Sequence, residues 1–157
     1  MRKLAILAVI VSACHTSSKQ PSQPQAGAQP KKNSAEYYYE RGKTENAMTD
    51  HLAAVGSLSS AIKKNPHYAD AYLERAKAYK NVDSIDREMQ DYDTLISWTK
   101  AAALQGKPDQ AQLGRLYYMK ADALYRNSMD TVACRYWKMS RDQGFSQSWN
   151  KLRDYCK

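Results

Sequence analysis

The sequence predicts an all-α protein, a short αα-solenoid of about three helical hairpins followed by a C-terminal capping helix. From Ser34 onward, Ala, Leu and Tyr recur three and four residues apart, as on one face of an α-helix. Sustained period-two alternation and clusters of Val, Ile or Thr, which mark strands, are nearly missing. The same order of small and bulky residues also returns in three stretches of residues 34–157, which indicates a repeat architecture.

Residues 1–13 have the layout of an export signal. Arg2 and Lys3 precede an apolar run from Leu4 to Val11, and small residues follow. This run is roughly half the ~20 residues that a helix needs to cross a bilayer. The pattern therefore favours a signal peptide over a permanent transmembrane anchor.

The four residues from Val11 to Cys14 resemble the lipobox of bacterial lipoproteins, in which one branched aliphatic and two small residues precede a cysteine. The resemblance implies a diacylglycerol on the Cys14 thiol, cleavage before Cys14 and acylation of the new amino group. Two or three acyl chains anchor a protein stably. His15 differs from the aspartate of some inner-membrane lipoproteins, which favours the outer membrane of a bacterial envelope. The alternative is a secreted protein with an incidental cysteine.

Residues 14–33 form the lipidated Cys14 and a predicted flexible tether. Ser, Gln, Pro, Ala and Lys dominate this segment, and it contains no aromatic residue. Such a composition cannot offset the entropy lost on ordering. A coil of this length has a typical reach of about 25 Å, so the folded domain of residues 34–157 would stand clear of the bilayer.

Three units align within that domain. The first runs from Ala35 to Tyr68 and is 34 residues long, the second starts at Ala69, and the third places Ala121 on the small position. The units resemble tetratricopeptide repeats, pairs of antiparallel helices that must stack to bury a core. An unrelated helical bundle is the alternative. The aligned core positions are Tyr38, Gly42, Ala54, Leu58 and Ala61, then Tyr72, Ala76, Tyr79, Tyr92 and Leu95, then Tyr117, Ala121, Leu124, Ala133 and Trp137.

Five charged residues depart from the family pattern. Arg41, Arg75 and Lys120 stand where the family prefers Leu, Glu45 replaces a Tyr, and Glu88 replaces a small residue. These departures leave the register of the alignment unchanged.

The ends of the later helices carry their own signals. An overlong second helix in unit two is expected to end near Gly106, with Pro108 opening the next helix. Helical phasing predicts one helix from about Asp130 to Gln143 and, after a break at Gly144, another from about Ser146 to Tyr155.

This hairpin brings Cys134 opposite Cys156, because residues equally far from the pivot face each other. An exported domain meets an oxidising environment, so we expect a disulfide that holds the cap. Two buried free thiols are the alternative.

No catalytic or metal-binding constellation is recognisable. His51 and His67 have no nucleophile pairing in the sequence, and LQGKPD lacks the rest of a phosphate-binding loop. We therefore expect a protein that is not an enzyme and uses neither cofactor nor metal.

Alignment with the family implies a partner-binding groove along the first helix of each unit, basic and interleaved with tyrosines. A protein partner with an acidic segment would suit such a face. The lysine and asparagine pattern of the family's carboxylate clamp is missing, so no specific peptide end is implied. The groove positions are Tyr39, Lys43, Leu73, Lys77, Lys80, Arg115, Tyr118, Asp122, Tyr125 and Arg126.

The positive charge of the chain allows two further interpretations. The formal net charge is +8, of which two units belong to Arg2 and Lys3 in the signal. One alternative is a structural envelope protein that contacts anionic cell-wall or surface glycan through its basic face. In the other, the cations only maintain solubility. A nucleic-acid partner is not expected for an exported, lipid-held domain, and the sequence does not predict the oligomeric state.

Overall fold

The computed structural model describes residues 30–157, which form seven α-helices and no strand. The predicted all-α fold is therefore confirmed. None of the helices in this range is both long and apolar enough to cross a bilayer. The predicted signal, Cys14 and the tether up to residue 29 lie outside the described residues. The helices are α1 (Ala35–Ala47), α2 (His51–Lys64), α3 (Ala69–Asn81), α4 (Ile85–Leu104), α5 (Gln110–Arg126), α6 (Asp130–Asp142) and α7 (Gln147–Tyr155).

Each helix packs against the next along the chain, as expected for a short helical-repeat protein. The helices α1 and α2, α3 and α4, and α5 and α6 form three hairpins, and α7 packs against α6. The molecule is thus a row of hairpins with one additional helix at its C-terminal end.

The three hairpins close with the same turn. Thr49, Asp83 and Ser128 each follow a helix C-cap in the left-handed region, with φ of 64°, 53° and 56°. The next backbone N–H donates to the carbonyl five residues earlier, as in a Schellman motif. These bonds join Asp50 N to Glu45 O at 2.9 Å, Ser84 N to Tyr79 O at 2.9 Å and Met129 N to Leu124 O at 3.0 Å.

The aligned core positions lie inside the molecule. The small residues let neighbouring helices approach closely: a Cβ on Gly42 would lie 2.5 Å from Leu58 Cγ. Tyr38 and Tyr72 are half-buried and pack against the core clusters. The other aligned residues are buried, namely Gly42, Ala54, Leu58, Ala61, Ala76, Tyr79, Tyr92, Leu95, Tyr117, Ala121, Leu124, Ala133 and Trp137.

Four of the five charged residues that depart from the family pattern form ion pairs. Two of these pairs join α4 to a neighbouring helix, and the third lies along α1. Arg75 donates two hydrogen bonds to Asp91, at 2.9 and 2.7 Å. Lys120 of α5 donates one hydrogen bond to Asp93 of α4. Arg41 pairs with Glu45 at 2.7 Å along α1. The charges at these positions therefore have partners, and two of the pairs link adjacent helices.

Glu88 is the remaining departure and is only 1% exposed. Arg126 donates to both of its carboxylate oxygens, at 2.7 and 2.5 Å, and the Tyr92 hydroxyl donates to it at 3.3 Å. Burial and the Glu88 carboxylate both raise the pKa of Tyr92, which keeps this hydroxyl protonated as a donor. A carboxylate therefore occupies a small-residue position because α5 supplies its counter-charge.

The predicted helix ends agree with the structure except at Pro108. The α4 helix ends just before Gly106 (φ 77°) and α6 just before Gly144 (φ 83°), conformations that glycine adopts without strain. The α5 helix, however, begins at Gln110, so the prediction that Pro108 opens it is wrong. Asp109 is the N-cap instead, because its side chain accepts a hydrogen bond from Gln112 N at 2.8 Å.

Candidate functional site

A cleft of about 510 Å³ lies between α3 and α5. Its apolar lining comes from Leu73 of α3, Leu95 of α4, Leu116 and Met119 of α5, and Phe145 before α7. Leu95 and Leu116 belong to the central core cluster. An apolar side chain placed in the cleft would therefore extend the existing core.

The length of α4 creates this opening. It has 20 residues, compared with 14 in α2 and 13 in α6. Both α3 and α5 pack against α4, whereas direct contact between α3 and α5 is slight. The additional turns of α4 displace the N-terminal end of α5 from α3. Leu95 of α4 therefore lines the bottom of the cleft between α3 and α5.

The rim of the cleft carries both signs of charge. Asp70 and Asp109 line it together with Arg115 and Gln112. Arg115 is exposed and has no ion-pair partner among residues 30–157. Of the ten predicted groove residues, only Leu73 and Arg115 line the cleft. Its lining is thus apolar with mixed charge and differs from the predicted basic face rich in tyrosine, which stays a prediction.

The predicted groove residues of α1 and the C-terminal half of α3 lie outside the cleft. Lys43 pairs with Glu40 at 3.2 Å and Lys77 with Glu74 at 2.6 Å, each within its own helix. Tyr39 packs on Tyr68 with ring centroids 4.9 Å apart, and Lys80 is exposed. The local glutamates weaken the positive field that the sequence predicted along this face.

The α7 helix covers most of the predicted groove residues of unit three. Tyr118 packs on Phe145 at 5.2 Å between ring centroids, and Tyr125 on Tyr155 at 4.9 Å. The Asp122 carboxylate lies 3.2 Å from Lys151 Nζ. These three residues contact the capping helix or the residue before it and stay half-exposed, so their role in a groove remains a prediction.

Arg126 also has a partner within the fold. Its guanidinium is committed to the buried Glu88, so it serves the packing of α4 against α5. The Arg126 side chain is 31% exposed, so a partner could reach its remaining N–H groups while this ion pair stays intact.

Cys134 and Cys156 are joined by a disulfide, with Cα atoms 5.7 Å apart. This is the pair that the hairpin geometry predicts. The bond fastens the C-terminal end of α7 to α6. Phe145, at the other end of α7, is one wall of the cleft, so the cap and the cleft are parts of one packed unit.

His51 and His67 occupy separate surroundings. His51 Nδ1 lies 3.1 Å from Asn46 Oδ1, and the His67 ring stacks on Trp98 with centroids 5.1 Å apart. Within residues 30–157, no group of three or more His, Cys, Asp or Glu side chains is placed to hold a metal ion. The cleft offers a ligand charged side chains and an apolar contact surface.

The sequence contained a signal for the lining residues that were missed. Gln112, Leu116 and Met119 follow the helical spacing around Arg115, and Asp70 lies one turn before Leu73. Extending the predicted groove by one turn toward each helix N-terminus would have found them. No protein-family model matches this chain.

Proposed function

We propose that this protein is an adaptor or scaffold of a bacterial envelope, held by lipid on Cys14, that binds a segment of another protein in the cleft between α3 and α5. The observation that carries the proposal is the cleft itself, which has a volume of about 510 Å³, apolar side chains in its lining and charged side chains at its rim. Pockets of this kind bind ligands through apolar contact and select them through a few polar groups.

An apolar side chain of the partner would supply most of the affinity. Complete burial of a Leu or Phe side chain against Leu95 and Leu116 contributes about 1.5–3 kcal/mol. Arg115 would pair with a carboxylate of the partner, while Asp70 and Asp109 would face its cations. The preferred ligand is therefore a segment with one large apolar residue and charges of both signs beside it.

The mixed charge of the cleft favours a protein segment over an anionic glycan. Asp70 and Asp109 would repel a polyanion at this position, and the glutamates beside Lys43 and Lys77 reduce the positive field nearby. Glycan binding through the remaining cations is the competing outcome in the experiments below.

Site-specific photocrosslinking in native membranes tests the proposal. A benzoylphenylalanine at Gln112, on the rim, should capture one protein in stoichiometric yield after illumination. The matched control carries the same group at Lys138, an exposed position on α6 outside the cleft. Equal capture at both positions, or no protein at Gln112, would contradict a partner in the cleft. Binding to isolated cell-wall glycan that falls steeply with salt would then support the alternative.

The lipid anchor is tested separately at Cys14. We expect Cys14→Ser to abolish lipid attachment, because the sulfur is the proposed acceptor. The variant should leave the detergent-requiring membrane fraction or accumulate as the uncleaved precursor. Fractionation and intact mass measure this, with the Ser12→Ala variant as a control that keeps the cysteine. A Cys14→Ser protein that remains in membranes at its mature mass would refute the anchor.

A further inference from the structure

A second binding arrangement lies at the C-terminal end of the molecule, around the ammonium group of Lys151 in α7. Lys151 Nζ lies 5.9 Å from the Tyr118 ring centroid, 5.4 Å from that of Trp137 and 5.5 Å from that of Tyr155. Its ion-pair partner is the Asp122 carboxylate, at 3.2 Å. Three aromatic rings within about 6 Å and one carboxylate are the components with which proteins bind alkylammonium groups.

Most of the groups around Lys151 Nζ belong to helices other than α7. Tyr118 and Asp122 are on α5 and Trp137 is on α6, whereas only Tyr155 comes from α7 along with Lys151. Trp137 is fully buried, and its Nε1–H donates to the Asp122 carboxylate at 3.1 Å. The carboxylate is therefore held in place by α6, independently of the ammonium group that it binds.

Lys151 is present as the ammonium ion. Partial burial opposes the charge, but the interactions with Asp122, Tyr118 and Tyr155 together outweigh it and raise the pKa of Lys151. The contact thus joins a cation to a carboxylate and to the negative faces of aromatic rings.

We propose that Tyr118, Asp122 and Trp137 form a binding site for an alkylammonium group, which Lys151 fills as an internal competitor for the lysine side chain of another protein. This site is separate from the cleft, and the inference does not depend on the function proposed for it. Its ligand class is a primary ammonium on an unbranched alkyl chain, because Lys151 already shows the fit.

The disulfide helps to keep the Lys151 ammonium group in the site. It ties Cys156, five residues after Lys151, to Cys134 on α6. A tethered ligand acts at a high effective concentration, so a free lysine side chain competes poorly while the bond is intact. Loss of Lys151 should therefore expose the site more than loss of the tether.

The test titrates Nα-acetyl-lysine methylamide onto the full purified protein, with NMR detection of the Trp137 indole N–H. In Lys151→Ala the signal should shift saturably, with a dissociation constant at least tenfold lower than in the wild type. The Cys134→Ser, Cys156→Ser double variant should fall between the two. Nα-acetyl-norleucine methylamide, the neutral match, should not bind, and adding Asp122→Asn to Lys151→Ala should abolish binding of the lysine probe. Equal binding by both probes, or equal affinity in wild type and Lys151→Ala, would overturn the proposal.

A measurement on the wild type covers the case in which Lys151→Ala does not fold. Reductive methylation of the native protein should modify Lys151 at least tenfold more slowly than the exposed Lys80 and Lys138, because its amine must first leave the rings. Mass spectrometry of the digested protein reports each rate. Modification of Lys151 as fast as these two lysines would show that the site does not hold an ammonium group and would refute the inference.

Discussion

The face of α5 meets two different neighbours at its two sides. Toward α3 it borders an open cleft, because α3 and α5 are separated by the long α4. Toward the C-terminus the same helix is covered by α7 and by Phe145 just before it. Their side chains contact Tyr118, Asp122 and Tyr125. The comparison teaches that a groove position in a helical repeat is available only where the next helix stands away from it. We expect the covered side to contribute more to stability than the open side, where the partner segment is proposed to bind.

The largest expected effect is at the covered side. Trp137→Ala should lower the free energy of unfolding by about 3–5 kcal/mol, because it removes a buried ring and leaves a cavity. Leu73→Ala, at the half-buried wall of the cleft, should cost only about 1 kcal/mol. Urea unfolding followed by circular dichroism measures both. Equal losses would contradict the division between a stabilising and a binding side.

The disulfide should have the next largest effect, confined to the cap. The Cys134→Ser, Cys156→Ser variant should lose about 3 kcal/mol by the chain-entropy argument. Hydrogen exchange should rise first in α7, while α1 to α3 keep their protection. Uniform loss of protection along residues 34–157 would show that the bond supports the whole solenoid and not its end.

The smallest effect concerns the turn that the three hairpins share. Thr49→Gly and Ser128→Gly should each raise the free energy of unfolding by about 1 kcal/mol, since both residues adopt a left-handed conformation that costs nothing for glycine. Thermal unfolding of the two variants should show similar gains. A gain at only one of them would mean that the hairpin turn depends on the environment of its unit.

The fold was predictable because its determinants are local and periodic. Small residues such as Gly42 and Ala121 occupy fixed places in each unit, and the spacing identifies most of the aligned core positions as buried. The pairing of Cys134 with Cys156 follows from one hairpin around Gly144.

The candidate site was less predictable because it depends on distances between helices. The position of α5 relative to α3 is set by the length of α4, and alignment of units does not supply that displacement. Alignment also does not identify the counter-charge of Glu88. This counter-charge is Arg126 of the neighbouring helix. It likewise assigns groove positions to the last unit without showing that α7 covers them.

The most direct test of the central claim is charge reversal on the open side. Arg115→Glu should reduce recovery of the protein partner from native membranes by at least tenfold, while the free energy of unfolding changes by less than about 0.5 kcal/mol. Arg135→Glu, an exposed cation on α6 outside the cleft, is the matched control and should leave recovery unchanged. Quantitative mass spectrometry of the cross-linked, affinity-purified protein makes the comparison. Selective loss with Arg115→Glu would support partner binding in the cleft, whereas equal recovery of the partner with both variants would contradict it.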